Sequence, residues 1–153
     1  MLETPHVVVA AVIAYKVGNP ALAIPLALGS HFILEKVPHW NPHLNTEKKT
    51  YGRVTPKSTK IVIADALLAL FLGTYISSLV LPNINHALTI LASCFVSVLP
   101  DLVEGPYYFL NMKSRLIEKW IAFQKALQND TSVVPGLITQ LTTIFAAFWW
   151  ITN

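Results

Sequence analysis

The stretch from Ile61 to Leu81 reads IVIADALLALFLGTYISSLVL. Asp65 is its only charge. A helix needs about 20 apolar residues to cross the hydrocarbon core of a bilayer, so this run predicts a membrane span. The rest of the chain agrees. Hydrophobic residues make up 54% of the 153 and charged ones only 12%, with a mean hydropathy of +0.52. Soluble domains carry roughly 25% charged residues, so this chain has too few charges to coat a soluble surface.

Working outward, four further apolar segments appear: about 5–17, 20–37, 86–110 and 133–151. The first is short for a span. Thr4 is expected to cap it, with Pro5 at the first helical position. Gly18-Asn19-Pro20 and Pro82-Asn83-Ile84-Asn85 read as turns, and 38–60 reads as a polar loop. The fourth segment is interrupted by Pro100 and by Gly105-Pro106. Trp149 and Trp150 end the fifth as interface anchors. Between about 112 and 129, Leu116, Trp120, Phe123 and Leu127 recur at helical spacing among Lys113, Arg115, Lys119 and Lys125, the pattern of an interfacial amphipathic helix. The expectation is one all-α domain over 1–153: a polytopic transmembrane bundle of four to five spans plus that helix.

The basic residues give an orientation. Ten of the eleven lie in or beside 36–60 and 113–125, and only Lys16 lies elsewhere. Two spans separate these regions, which puts both on one side, and the positive-inside rule makes that side cytoplasmic. A multi-pass protein of the cell membrane with a cytoplasmic N-terminus is expected. MLETPH has no basic n-region, so no removable signal peptide is expected. Membrane lipid is the expected partner. The net charge of +3 sits in loops rather than on a continuous basic face, so no nucleic-acid partner is expected. A lone cysteine, Cys94, in an apolar run excludes a disulfide framework and a Cys-based zinc site; it reads as a small buried hydrophobe.

Ionisable groups inside membrane segments are costly and mark functional sites. Here His6, His31, Glu35, His39, Asp65, Asp101 and Glu104 fall at one depth, near the basic end of four segments. His31 and Glu35 are four apart and Asp101 and Glu104 three apart, so each pair shares a helix face. Imidazoles and carboxylates converging from several helices suit a zinc-like divalent ion. The expected ligands are His31, Glu35, His39 and Asp101, with His6 and Asp65 as further ligands or their partners. Glu104 is a candidate general base. His86 lies at the opposite end and His43 in the loop, outside the set.

Gly29-Ser30-His31-Phe32-Ile33-Leu34-Glu35-Lys36-Val37-Pro38-His39-Trp40 resembles the signature of small bacterial and archaeal membrane-bound metal-dependent hydrolases. It is also similar to the His-x-x-x-Asp element of zinc-dependent phospholipase C and related single-strand nucleases. Thr4-Pro5-His6 and Leu99-Pro100-Asp101 resemble the family's other short motifs. Glu35 stands where that family usually has Asp, and Asn41 where an acid is common. The resemblance covers about residues 4–40 and 97–105, and implies that these elements supply metal ligands.

The leading expectation is thus a metal-dependent hydrolase of a phosphodiester or ester near the cytoplasmic face, with a phospholipid as the natural substrate at that depth. A divalent-metal or proton-handling protein or transporter without hydrolysis is the alternative. A third reading is a scaffold whose polar groups fix helix packing. Polar residues confined to one leaflet favour a site over a pathway.

Overall fold

The computed structural model describes residues 1–153. Eight helices follow one another: α1 (Glu3–Val17), α2 (Pro20–Leu34), α3 (Leu44–Tyr51), α4 (Pro56–Ser78), α5 (Ile84–Leu102), α6 (Gly105–Phe109), α7 (Arg115–Leu127) and α8 (Val133–Thr152).

Local chemistry sets most boundaries. Gly18 adopts a left-handed φ of 67° and its N–H donates to Ala14 O at 2.9 Å, closing α1. Asn19 then caps α2 by accepting from Ala21 N–H at 2.9 Å, with Pro20 at the first helical position. Thr55 and Pro56 repeat the device at α4, which therefore starts five residues before the apolar run. The stretch read as a loop holds α3 as well. The segment expected over 86–110 divides in two, because Gly105-Pro106 starts a separate short helix. The second segment stops being helical at Leu34, with Glu35 as its C-cap.

Three helices are long and apolar enough to cross a membrane: α4, α5 and α8, of 23, 19 and 20 residues. That is fewer than the four to five expected. α1 and α2 have 15 residues each, about 22 Å of helix against a core of about 30 Å.

α1 is the centre of the bundle. Val8, Ala10, Ala11, Val12 and Ala14 are wholly inaccessible, enclosed with residues of α2, α4, α5 and α8. Small residues permit this close approach. A Cβ added at Gly73 of α4 would stand 2.9 Å from Val7 Cγ1 and 3.3 Å from Cys94 Sγ. Meanwhile Leu67, Leu70, Phe71, Leu141, Phe145 and Trp149 of α4 and α8 face outward. Apolar outer faces around a core of small residues are what a lipid solvent favours.

At the end where α1 begins, α3, α6 and α7 form a cap around Val54, Tyr108 and Ile121. α7 is amphipathic as expected, but it does more than lie on a surface. Ile121 and Gln124 are buried, Leu116 and Phe123 remain exposed, and Trp120 Nε1 donates to Pro100 O at 2.9 Å.

Candidate metal centre

His6 lies on the first turns of α1 and His31 near the end of α2. The α1–α2 hairpin returns the chain, so the two rings stack with centroids 4.3 Å apart. Glu35 lies one turn after His31. Its Oε1 is 3.1 Å from His6 Nε2, and its Oε2 is 3.7 Å from His39 Nε2. The Met1 amino group also rests on Glu35 Oε1. From the end of α5, Asp101 Oδ1 stands 4.0 Å from His31 Nε2. His6, His31, Glu35 and His39 are at most 1% exposed.

His39 follows the end of α2, and two devices hold it. Its N–H donates to Asn129 O at 3.1 Å and its carbonyl accepts from Thr131 N–H at 2.9 Å, a short parallel bridge to the segment after α7. Asn129 N–H also donates to Glu35 O at 3.0 Å, so one strand of chain fixes the backbone of two site residues. The other device is α8, which presents Gly136 to this loop. A Cβ there would fall 2.5 Å from Trp40 N and 2.9 Å from His39 C. Gln140, one turn later, donates to Trp40 O at 3.0 Å and accepts from Leu2 N–H at 3.0 Å.

The ring of His39 is oriented too. Nδ1 lies 2.7 Å from Val37 O, and a carbonyl only accepts, so Nδ1 carries the proton. Nε2 is left with its lone pair, buried and without a partner. Such a second hydrogen bond typically sets the tautomer of a metal-ligating histidine. Glu35 Oε2 is likewise buried and unpartnered.

A tetrahedral zinc with ligand bonds near 2.1 Å spaces its ligand atoms about 3.4 Å apart. The 3.1, 3.7 and 4.0 Å separations bracket that value. One ligand atom each from His6, His31 and Asp101 also lies within 4.8 Å of the other two. The His6–His31–Asp101 spacing fits a divalent cation, and the unpaired Glu35 Oε2 and His39 Nε2 form a second pair beside it, 3.7 Å apart.

Two members of the expected set are used differently. Asp65 of α4 does not join the histidines. Its carboxylate accepts from Glu3 N–H at 2.6 Å, Thr4 N–H at 3.3 Å and Thr4 Oγ1 at 2.6 Å, so it caps α1 from a neighbouring helix. Thr4, expected as the cap, is inside the helix and donates to that carboxylate. Glu104 lies beyond the end of α5. With Asp101 it borders a cavity of about 290 Å³ that none of the three histidines lines. Burial, with the Asp101 carboxylate nearby, pushes the Glu104 carboxyl up to about 8.

Gln124 was not foreseen. It is 2% exposed; its Nε2 donates to Asp101 Oδ1 at 3.0 Å and lies 3.3 Å from His31 Nε2. The signal was present: a polar residue one turn after Trp120 on a helix whose Trp120–Ile121 side faces inward.

No protein-family model, curated protein or solved structure matches the chain. The geometry of the cluster therefore carries the functional reading.

Proposed function

We propose that the protein is a membrane-embedded, metal-dependent hydrolase, with His6, His31, Glu35, His39 and Asp101 as the groups that hold a zinc-like cation. One observation carries this reading: ligand atoms of His6, His31 and Asp101 lie within 4.8 Å of one another, and Glu35 adjoins that group through His6 and reaches on to His39, with His39 Nε2 and Glu35 Oε2 left unpaired. Packing alone does not account for that. An unpaired buried polar atom costs about 1–3 kcal/mol, and a pair of them invites a ligand. When bound, such a cation supplies Lewis acidity and a water activated for attack.

The chain's own residues have definite tasks. The Val37 carbonyl keeps His39 in the tautomer with a free Nε2. Gln124 holds Asp101 against the histidines. Glu104, at the wall of the adjoining cavity, is the candidate general base; with its carboxyl pushed up to about 8 it would take a proton from water only as pH rises through that value. The substrate class follows from depth: a phosphodiester or ester at the headgroup level, such as a phospholipid. The clustering of basic residues in 36–60 and 113–125 supports a cytoplasmic face for this end. It also supports a bundle in which α1 and α2 enter the bilayer together as a hairpin.

Elemental analysis of gently purified protein tests the reading. About one zinc-like ion per chain is expected. His31→Ala should insert normally yet lose the ion and any hydrolysis of phosphodiester lipids. Protein that carries no metal, or a His31→Ala variant that keeps it, overturns the proposal.

A further inference from the structure

Gln124 engages two of the three residues whose spacing fits a cation. Its Nε2 lies 3.0 Å from Asp101 Oδ1 and 3.3 Å from His31 Nε2. The carboxylate fixes which way the amide faces. Turned over, it would set its own oxygen against Asp101 Oδ1, acceptor against acceptor. An amide nitrogen only donates, so His31 Nε2 accepts, and Nδ1 of that ring carries the proton. The two N–H groups of one amide thus occupy a histidine and a carboxylate that a divalent cation would use. His31 Nε2 has a single lone pair. It serves the Gln124 N–H or a cation, never both, and the protonated Nδ1 offers a cation nothing. A cation held by His31 therefore requires the amide to leave.

The amide has somewhere to go. Gln124 and Asp101 each contact His31, and each borders the adjoining cavity of about 290 Å³, which His31 itself does not line. Only the side chain needs to turn. The backbone of α7 is held against α5 by Trp120 Nε1, which donates to Pro100 O at 2.9 Å, next to Asp101. The amide oxygen loses nothing by the move, because Oε1 is buried without a partner where it stands. The cavity wall also carries carboxyl groups on Glu3, Asp101, Glu104 and Asp130, oxygen ligands that a divalent cation accepts.

We propose that this cavity is the route by which a divalent cation reaches the histidines, and that Gln124 is its gate: the carboxamide competes with the cation for the lone pair of His31 Nε2 and turns into the cavity to yield it. The gate rests on reading His6, His31 and Asp101 as a metal centre, and it does not depend on hydrolysis. A buried amide beside a metal ligand acts in one of two ways. As a support it orients the ligand, and its removal weakens metal binding by about 10–100-fold. As a gate it opposes binding, and its removal has the reverse sign.

The test uses the full chain in nanodiscs of phosphatidylcholine, treated with a chelator and titrated with zinc. Affinity is read by competition with a chromophoric chelator, and the loading rate by stopped flow. Gln124→Met keeps the length of the side chain and removes both donors. It should bind zinc about three- to tenfold more tightly than the unmodified chain, the release of one hydrogen bond, and load it faster. A second measurement needs no variant. The chain has three glutamines, Gln124, Gln128 and Gln140, so side-chain amide labelling with nitrogen-15 gives three signals. The one with a nuclear Overhauser contact to the His31 ring is Gln124, and zinc should speed the exchange of its amide protons with solvent. A folded Gln124→Met variant that binds zinc no more tightly, or loads it no faster, overturns the gate and makes Gln124 a support. Unchanged exchange of the Gln124 amide on zinc binding overturns it as well, whether or not Gln124→Met folds. An unmodified chain that binds no zinc removes the metal centre itself, and the gate with it.

Discussion

Asp65 and Asp101 are both carboxylates on apolar helices near the same end of the bundle, yet they do different work. Asp101 meets His31 and Gln124. Asp65 satisfies the N-terminus of α1, whose first amides have no partner within their own helix. A carboxylate there also meets the positive end of the helix dipole. Asp65→Ala is expected to lower stability by about 1–2 kcal/mol, as for loss of a helix cap, with metal content unchanged. Thermal melts in detergent alongside elemental analysis would check this; a loss of metal would return Asp65 to the ligand set. The contrast shows what was legible in the sequence. Depth along a helix can be counted from the chain, so seven polar residues could be placed at one level. The direction each side chain faces around its helix depends on how neighbouring helices are rotated, and Asp65 alone carries no sign of that. His31 and Glu35 were easier, since a four-residue spacing fixes a shared face without knowledge of the neighbours. Gln124 carries no charge, so the intramembrane charges that mark the site in the sequence do not include it.

At the level of elements, the site depends on pieces far from it in the chain. α8 contributes no ligand, but Gly136 lets it touch the His39–Trp40 backbone. Gly136→Ala would force that loop away, since the added carbon meets backbone atoms that cannot swing aside. A loss of about 1–3 kcal/mol is expected, with weaker metal retention, measured by melting and by chelator challenge. Gly29→Ala of α2 is the control. A Cβ there meets nothing within 4 Å, so the helix should gain up to about 1 kcal/mol. At the start of α4, Glu47 of α3 plays a similar supporting part. Partial burial pushes its carboxyl up, but hydrogen bonds from Ser58 Oγ at 2.6 Å and Thr55 N–H at 2.8 Å outweigh this and hold it below 4.5. A carboxyl depressed by folding stabilises fully above its unfolded value and loses that contribution as pH falls through the folded one. Melting temperature should therefore fall on acidification below about pH 4.5, less steeply in Glu47→Gln. Equal acid limbs in the two proteins would remove this role. α3 lay hidden in the sequence because LNTEKKTY has no apolar stripe of its own. It is held by side-chain contacts from its middle turn, including Lys48 Nζ donating to Tyr108 O at 3.2 Å.

The whole molecule is arranged inside out relative to a soluble bundle: its most buried helix is rich in alanine and valine, and its large apolar side chains face outward. This explains why the short segment 5–17 is as apolar as a span. In a lipid-facing span the apolar residues cover the outside, whereas α1 is apolar because every side of it meets another helix, so length, not composition, separates the two cases. A helix buried in that way need not cross the bilayer to place His6, and the α1–α2 hairpin needs only to reach the level of its partners. The ends of the bundle then differ sharply. One carries the histidine cluster, the cap of α3, α6 and α7, and ten of the eleven basic residues. The other carries short turns and His86, whose Nε2 donates to Ala14 O at 3.1 Å. With Cys94 buried, single cysteines introduced at the exposed positions Lys49, Lys119 and Asn85 report on sidedness. Impermeant thiol reagents should label positions 49 and 119 from the cytoplasmic side only and position 85 from the opposite side only. Labelling of 49 and 119 from different sides would mean that α4 and α5 do not both cross, and would detach the site from the cytoplasmic leaflet. Labelling of both from the outer side would keep the bundle and reverse it, so that any substrate would have to be drawn from the outer leaflet.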